Sequence, residues 1–425
     1  MEIQNYKKRI VDEKIDYYLT LFGATIIDGP RYSGKTWTVR KHAKSETLLY
    51  KNTGDYSNIV ELAKISPEII LEGEKPKLIG EWQEATNLWD EIRYKIDKTS
   101  LKGQYILTGS STPKRDGISR SKALRFGKIH LRTMSLYESG DSSGGVSLKD
   151  ICDGKSISKA TVDVSIRKLA YLIIRGGFPA NIDYSSSDTS KIVKEYIDRI
   201  IEDDVSRIDG VKRDKHKISL LLRSLARNES TTATNMTLKN DIKDNDYDDI
   251  DIDTIASYLD VLEKLYLLDN DKPFFNKIRS SARIKQAEKR HFADPSIACA
   301  LLNLTEDKLI NDLETFGFLF EAMVERDLKV YADSFDANCF HYQDYLNREI
   351  DAVIELESSD WCAFEIKLGT NAIDKAADNL IKIRDSIKES GGKAPTVLCV
   401  VCGLSSAAYQ RPDDVYVVPI TALKN

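Results

Sequence analysis

The sequence predicts three successive folded units: an α/β unit with a parallel sheet, a mostly helical unit and a second α/β unit. The chain has 425 residues, and a typical domain has about 150. In the first third, short apolar runs alternate with longer polar segments, which is typical of parallel strands joined by helices. Helical spacing dominates the middle, and strand-like runs return in the last third. We therefore predict domains at 1–146, 147–294 and 295–425.

The composition is that of an ordinary globular protein. Hydrophobic residues make up 41%, charged residues 30%, and the formal net charge is −5, which excludes collagen-like, disordered and disulfide-scaffold classes. The longest apolar run, around 396–404, is much shorter than the roughly 18 to 20 residues of a membrane span, so no membrane partner is expected. Residues 1–9 lack a secretory signal pattern. A cytoplasmic protein with six reduced, buried cysteines is therefore expected.

The first unit is predicted to begin with a helix that leads into a buried strand. Ile10, Ile15 and Leu19 recur at helical spacing within 3–22, and 24–28 has the apolar character of an internal strand. Further strands are predicted at 48–50, 77–79 and 104–108. The polar, glycine- and serine-rich segment 138–146 is predicted to end the unit.

A glycine-rich motif follows the strand 24–28. The pattern G-x-x-x-x-G-K-[ST] is matched by Gly29, Pro30, Arg31, Tyr32, Ser33, Gly34, Lys35 and Thr36. In a loop of this kind the backbone N–H groups converge on phosphates, because glycine lets the chain wrap closely. We expect Lys35 to contact the β- and γ-phosphates of ATP and the Thr36 hydroxyl to ligate Mg²⁺. A glycine turn without a ligand is the alternative, which the order strand, loop, helix disfavours.

Two further strands are predicted to end beside this loop. After the strand 77–79, Gly80 occupies the position where P-loop ATPases normally carry an Asp that holds the Mg²⁺ shell. Glu81 follows and is the expected base for the attacking water, so nucleotide binding is favoured over fast hydrolysis. Ser110, after the strand 104–108, is the candidate reporter of the γ-phosphate, with ordinary turn chemistry as the alternative.

These segments resemble a known family. GPRYSGKT, LIGEWQEATNLWDEIR, YILTGSSTP, RTMSLYESG, KRHFADPSIACALL and AFEIKLG are similar to prokaryotic AAA-superfamily (AAA_14-like) ATPases that carry the domain of unknown function 4143. The resemblance implies a RecA/AAA-like P-loop NTPase core, a winged-helix middle domain and a restriction-endonuclease-like C-terminal domain. Gly80 departs from the Asp that is usual in the family. Arg125 falls where the family has an arginine, so it is either an arginine finger that contacts the nucleotide or a surface residue.

The middle unit contains segments that resemble a winged helix. Helices are predicted at 217–227 and 252–268, with a shorter one between them, and the third helix of such a domain can enter a major groove. The stretch 272–290 has seven basic side chains against one Glu, an excess that can contact phosphates. DNA or RNA is therefore a candidate partner. A structural support between domains is the alternative.

The last unit carries a candidate metal-dependent nuclease site. On a predicted hairpin, 349–356 with 361–367, Glu365 and Lys367 share one strand face, and the neighbouring strand can bring Asp351 beside them. Two carboxylates would hold a divalent metal, and the lysine would polarise the attacked phosphate or water. Glu321, on the predicted helix 314–331, is the candidate third carboxylate. The pattern resembles the PD-(D/E)xK constellation, and an ion-pairing surface strand is the alternative.

These expectations combine into one predicted function with an alternative. The chain is predicted to be an ATP-binding, slow ATPase whose nucleotide state moves a nucleic-acid-associated, nuclease-like module. The alternative is a nucleotide-dependent switch or scaffold whose nuclease-like domain is inactive and binds protein partners. A small-molecule kinase is a weaker third option, because no substrate pocket signature is present. A second copy of the chain is a further candidate partner.

Overall fold

The computed structural model describes residues 6–49, 56–111, 125–157, 160–274, 287–344 and 347–425. The chain forms two compact units. The first unit comprises Met1–Thr133, Asp203–Lys212 and Val261–Leu267, and the second comprises Met134–Glu202, Arg213–Asp260 and Leu268–Asn425. The three-domain division at 1–146, 147–294 and 295–425 stays a prediction.

The first unit is built around a five-stranded parallel sheet. Its elements up to the last strand are α1 (Val11–Leu21), β1 (Ala24–Asp28), α2 (Lys35–Arg40), β2 (Ser45–Leu48), α3 (Tyr56–Ile65), α4 (Pro67–Ile70), β3 (Lys77–Gly80), α5 (Leu88–Thr99), β4 (Tyr105–Thr108) and β5 (Phe126–His130). The strand order is β2-β3-β4-β1-β5, and every neighbouring pair is parallel. The carboxyl ends of all five strands therefore meet at one edge of the sheet, where open α/β sheets bind their ligands.

Both faces of this sheet are buried. Successive strand residues point to opposite faces, so Ile26, Ile79 and Leu107 join one apolar cluster, whereas Ile27, Leu78 and Ile106 join the other. The first cluster is covered by α5, whose Trp89 stacks on Phe126 with ring centroids 4.1 Å apart. Burial on both faces explains the continuous apolar runs that the sequence shows at β1, β3 and β4.

The sequence-based prediction of the first unit is confirmed at its centre and fails at its edges. β1, β3 and β4 lie within one residue of the predicted strands. The strand predicted at 48–50 is wrong: β2 ends at Leu48, its SETL sequence is only half-buried, and residue 50 lies outside the described ranges. β5 was missed, because this edge strand, FGKIH, is polar at alternate positions. The first helix begins at Val11, later than predicted.

The remaining elements are mostly helical before residue 338 and mostly strands after it. In chain order they are α6 (Leu136–Ser139), β6 (Val146–Ser147), α7 (Leu148–Cys152), α8 (Ile166–Arg175), α9 (Ser186–Arg199), α10 (Val205–Arg207), α11 (Lys215–Arg227), α12 (Asn235–Asp246), α13 (Ile252–Lys264), α14 (Pro295–Leu301), α15 (Glu306–Asn311), α16 (Leu313–Asp333), β7 (Asn338–Gln343), β8 (Glu349–Glu355), β9 (Trp361–Lys367), α17 (Ile373–Glu389), β10 (Val397–Cys402), β11 (Tyr409–Gln410), β12 (Tyr416–Pro419) and β13 (Leu423–Lys424). A π-helical turn, Ile200–Asp204, joins α9 to α10.

The second unit contains a six-stranded mixed sheet in the order β11-β12-β10-β9-β8-β7. β7, β8 and β9 are antiparallel neighbours, and β10 is parallel to β9 and β12. α17 packs against β9 and β10, and its Leu380 and Ile383 share one apolar cluster with Ala363 and Val400 of the sheet. α16 contacts β7, β8 and β9. The predicted hairpin is confirmed as β8 and β9, and the predicted helix 314–331 corresponds to α16.

Two expectations from composition concern cysteines and membrane spans. All six cysteines carry free thiols, and five are buried as predicted, whereas Cys339 is half-buried. Among the helices of the described residues, none is both long enough and apolar enough to span a bilayer.

Candidate functional site

The loop between β1 and α2, residues 29–36, is here called the P-loop. Gly29 has φ 140°, and a Cβ atom at this position would lie 2.2 Å from the carbonyl oxygen of Leu131. Gly34, which precedes α2, has φ 95°, in the left-handed region that side chains disfavour. The two glycines of the motif are therefore required by the backbone, because one permits a close approach and the other a left-handed turn.

The Lys35 side chain lies inside the P-loop. Its ammonium group donates to the carbonyl oxygens of Gly29 at 2.8 Å and Pro30 at 2.7 Å, and the residue is 6% exposed. Burial lowers the pKa of Lys35 to about 8, although Glu81 and Asp28 partly oppose the shift. A phosphate is a stronger partner for an ammonium group than a neutral carbonyl. The Lys35 ammonium can therefore exchange its hydrogen bonds to the loop carbonyls for hydrogen bonds to a polyphosphate ligand.

Glu81 and Ser110 are brought together at the same edge of the sheet, as the sequence predicts. The Ser110 hydroxyl donates to Glu81 Oε2 at 2.8 Å. Gln83, which the sequence analysis missed, donates through Nε2 to the same oxygen at 2.6 Å. These two donors fix the orientation of the carboxylate, and Glu81 acts electrostatically on Lys35. A carboxylate held beside a phosphate-binding lysine is suited to orient or deprotonate water.

Arg31 of the P-loop has a partner from a distant part of the sequence. Its Nη1 atom lies 2.9 Å from Asp204 Oδ2, and its Nε atom lies 3.5 Å from the Ser110 hydroxyl oxygen. Asp204 is 4% exposed, and burial raises its pKa despite the nearby Arg31. No local motif marks Asp204, so the sequence analysis did not identify it.

The rest of the P-loop is held by the backbone and by a second arginine. Arg9 donates through Nη1 to the Ser33 carbonyl at 2.9 Å and through Nη2 to the Arg132 carbonyl at 2.9 Å. Tyr32 is exposed and has φ 63°. Thr36 is the second residue of α2 and half-buried. The loop therefore has a defined shape before any ligand arrives.

The structure does not bring Arg125 to the P-loop. Arg125 directly precedes β5, and Phe126 pairs with Ala24 at the amino end of β1, whereas the P-loop begins after Asp28 at the opposite end. Four residue steps of strand, roughly 13 Å at about 3.3 Å per residue, lie between these two ends. The Arg125 side chain is paired with Asp97. This position at the opposite edge of the sheet favours the alternative of a surface residue within one chain, and the role of Arg125 as an arginine finger stays a prediction.

The oxygen atoms near Gly80 fit a hard cation such as Mg²⁺. Gly80 itself offers no side chain, but the Thr108 hydroxyl is buried without a hydrogen-bond partner among the described residues. This oxygen lies 3.5 Å from the position of a Cβ atom at Gly80. With Thr36 and Glu81, the site offers hydroxyl and carboxylate oxygens, the ligand type that Mg²⁺ prefers. No side chain at position 80 supplies the carboxylate that P-loop ATPases use there.

The second unit assembles the three residues predicted for a nuclease-like site. The Lys367 ammonium lies 2.9 Å from Asp351 Oδ2 and 2.6 Å from Glu365 Oε2. Asp351 Oδ2 also accepts from the Ile366 N–H at 2.7 Å, and Asn379 donates to Glu365 Oε1 at 2.7 Å. Burial raises the pKa of Glu365 to about 7, with Asp351 adding to the effect. The alternative of an exposed ion-pairing strand does not fit, because Asp351 and Glu365 are both buried.

Glu321, the predicted third carboxylate, is engaged by a lysine that the sequence analysis missed. The Lys289 ammonium contacts Glu321 and lies 2.9 Å from Glu325 Oε1 and 3.1 Å from the Asp351 carbonyl oxygen. Lys289 is fully buried, and burial raises the pKa of Glu321 to about 8. A cation from the chain itself therefore already occupies the space beside Glu321.

A second cluster with metal-ligand chemistry adjoins Lys289. Asp271, His291 and Glu325 place one ligand atom each within 4.8 Å of one another, and all three are buried. Two lysines already neutralise these carboxylates: Lys329 lies 2.8 Å from Asp271 Oδ1, and Lys289 contacts Glu325. Burial opposes protonation of His291, but Glu325 and Glu229 raise its pKa to about 10. The positive charges of the two lysines and His291 therefore balance the carboxylates of this cluster without a metal ion.

The basic stretch 272–290 is only partly available for phosphate contacts. Lys289 is buried in the ion network. Arg290 donates through Nε to the Ala233 carbonyl at 3.0 Å and through Nη2 to Asn235 Oδ1 at 3.2 Å. Residues 275–286, with four of the seven basic side chains, lie outside the described residues. Lys289 is thus a structural cation and not a surface contact for nucleic acid.

Comparisons with known families match three segments of the chain, and the residues described above fall in all three. Residues 22–139 match an AAA domain, residues 316–423 match the domain of unknown function DUF4143, and residues 166–308 match the domain of unknown function DUF8612. The AAA and DUF4143 parts of the resemblance stated above are confirmed. The AAA domain and the parallel sheet typical of P-loop ATPases support ATP binding at the P-loop.

Among solved structures, similarity is distant, and no curated protein matches the chain. The Walker-type ATPase of Pyrococcus abyssi is 15% identical, with a TM-score of 0.44 over 68% of this chain and 94% of that one. The Drosophila ORC bound to DNA is 12% identical, with a TM-score of 0.19 over 72% and 85% of the two chains.

The buried position of Lys35 predicts a pH-dependent affinity for ATP. The pKa of Lys35 is about 8 in the free loop, and bound phosphates stabilise its charged form. ATP affinity should therefore be constant below pH 8 and fall by about tenfold per pH unit above it. Binding titrations from pH 6.5 to 9.5 measure this. Lys35→Arg, which stays charged throughout, is the control, and an equal slope in that variant would show that another group titrates.

Proposed function

We propose that the chain is a nucleotide-dependent protein that binds Mg²⁺–ATP at the P-loop and hydrolyses it slowly. The observation that carries this proposal is the Lys35 ammonium, buried inside the P-loop on two carbonyl oxygens with Glu81 close enough to influence its pKa. Lys35 supplies charge to the phosphates, and Glu81 orients the water. Hydrolysis is slow because Gly80 contributes no carboxylate at the cation.

Separate variants of Lys35 and Glu81 should divide binding from hydrolysis. Lys35→Ala removes the ammonium and should weaken ATP binding by about 100-fold or more, whereas Glu81→Gln should keep the affinity and lower turnover by about 10²-fold, the usual contribution of a general base. Labelled-nucleotide titrations and phosphate-release assays measure the two effects. Lys102→Ala and Glu74→Gln, at exposed positions of the same unit, are the controls. Equal loss of binding in both active-site variants would rule out this division of roles.

The role of Gly80 can be tested by restoring a carboxylate. A Cβ atom at position 80 would lie 2.6 Å from Leu48 Cδ2, so the Gly80→Asp change needs Leu48→Ala beside it to provide space. If missing cation ligation limits turnover, the double variant should hydrolyse ATP about tenfold faster or more, since a bound metal contributes several kcal/mol to such reactions. Leu48→Ala alone is the control for lost packing. Unchanged turnover in the folded double variant would refute this explanation of slow hydrolysis.

We further propose that Asp351, Glu365 and Lys367 form a metal-dependent nuclease-like site in the second unit. The proximity of Lys367 to both carboxylates supports this, as does burial of the cluster. The two carboxylates would hold the divalent cation, with Asn379 orienting Glu365. Lys367 would stabilise charge on the attacked phosphate. Lys289 favours the inactive scaffold as the alternative, because it engages Glu321 and leaves one carboxylate fewer for a cation.

We propose that the middle of the chain associates with nucleic acid, because its helices and strands follow one another in a characteristic order. α11, α12 and α13 follow one another and are succeeded by an antiparallel pair in which Leu268 faces Phe292 and Asp271 faces Lys289. Three helices followed by a hairpin are the order of a winged helix. The basic side chains of 272–290 other than Lys289 would supply its phosphate contacts. A second copy of the chain as a partner, and a location in the cytoplasm, stay predictions from the sequence.

The nuclease proposal predicts cleavage that depends on Asp351 and Lys367. The full-length protein with Mg²⁺ or Mn²⁺ should cleave single- or double-stranded DNA or RNA, and Asp351→Asn or Lys367→Ala should lower the rate by about 10²-fold or more. Lys375→Ala, on the exposed side of α17, is the control. Labelled oligonucleotides resolved on denaturing gels report the products. No metal-dependent cleavage by the wild-type protein, with ATP binding intact, would favour the inactive scaffold.

A further inference from the structure

The ion pair between Arg31 and Asp204 has no role in the phosphate site described above. Arg31 is the third residue of the P-loop, and Asp204 ends a π-helical turn 173 positions later in the chain. Their charged atoms are 2.9 Å apart, with Asp204 almost fully buried and Arg31 about one third exposed. Single π-helical turns occur often at functional sites. The pair therefore joins a partly exposed cationic side chain to a buried anionic one.

We propose that Asp204 is an internal competitor of the terminal phosphate for Arg31, so that the pair sets the preference of the P-loop for nucleoside triphosphates over diphosphates. This inference rests on the proposed ATP site and concerns its regulation. In the free protein the Asp204 carboxylate holds the guanidinium. A triphosphate supplies a competing anion with more charge and more oxygen acceptors, and arginine binds phosphate through two parallel hydrogen bonds.

The surroundings of Arg31 support this exchange. Its Nε atom is already 3.5 Å from the Ser110 hydroxyl, and Ser110 donates to Glu81, the proposed base. The guanidinium thus lies between the group expected to orient water and the buried Asp204. A small rotation of the Arg31 side chain can replace one anionic partner by the other, because the residue is partly exposed and has rotamer freedom.

When Arg31 moves from Asp204 to a nucleotide, Asp204 loses an ion-pair partner. The free-energy cost of this loss weakens ATP binding. Apart from the 2.9 Å contact with Arg31, Oδ2 of Asp204 has no hydrogen-bond partner among the described residues, and Arg207 is the other cation whose charge favours the ionised form. A buried carboxylate left without its counter-charge is strongly disfavoured. The raised pKa of Asp204, caused by burial, agrees with an acid that is marginally stabilised even when Arg31 is present. Asp204 is therefore a positioning residue that acts on nucleotide through Arg31.

The test compares ATP and ADP affinities of the full-length protein. Asp204→Asn keeps the shape and removes the charge, so Arg31 is released and the ATP dissociation constant should fall by about tenfold, the effect of a modest change in ion pairing. The ADP dissociation constant should change by less than about threefold, because ADP lacks the terminal phosphate. Asp203→Asn, at the adjacent exposed position, is the matched control and should leave both unchanged.

A double-variant cycle separates charge competition from a structural effect. In an Arg31→Ala background, Asp204→Asn should no longer change the ratio of ATP to ADP affinity, because the shared cation is absent. Circular dichroism verifies that each variant is folded. Equal changes in ATP and ADP affinity, no change, or an unchanged effect in the Arg31→Ala background would overturn the inference while leaving the proposed ATP site intact. Absence of ATP binding by the wild-type protein would overturn both.

Discussion

The close approach of Gly29 to the carbonyl of Leu131 is the constraint on which the phosphate site depends. β1 can be followed directly by the P-loop only because no Cβ atom stands between these two backbones. The loop then returns to the start of α2, and Lys35 enters it from the helix side to reach the carbonyl oxygens of Gly29 and Pro30. The ammonium is consequently positioned by backbone geometry, which a parallel sheet buried on both faces holds rigidly.

The second unit uses buried charge in a different way. Around Lys289, four buried or nearly buried carboxyl groups, Glu229, Asp271, Glu321 and Glu325, face the cations of Lys289, Lys329 and His291. Because the pKa of Glu321 is raised to about 8 while that of His291 is raised to about 10, near neutral pH the network tends towards charge balance. Such a network rigidifies the position of α16 beside β8, and with it Glu321 beside Asp351.

Sequence reasoning identified the parts of these sites that are encoded locally. Gly29 to Thr36 are contiguous, and Glu81 and Ser110 each follow an apolar strand, so their meeting follows from the geometry of parallel strands. Asp351, Glu365 and Lys367 were found in the same way from strand alternation. Asp204 and Lys289 were not, because each reaches its site from a distant segment and no spacing rule connects it to its partner. The role of Arg125 stayed open for a related reason: the missed edge strand β5 fixes which end of the sheet it occupies.

The two sites also differ in how their central cation is held, and this difference bears on what each can do. Lys35 rests on neutral carbonyl oxygens and keeps a lowered pKa, so an anionic ligand gains a strong new partner on arrival. Lys367 and Lys289 instead rest on carboxylates, and the pKa of Lys367 is raised by Asp351 and Glu365 although burial opposes it. An incoming phosphate must there compete with anions already in place, and a divalent cation must compete with two ammonium groups. The P-loop is therefore poised for its ligand by the chain alone, whereas the second site requires its charges to be rearranged first.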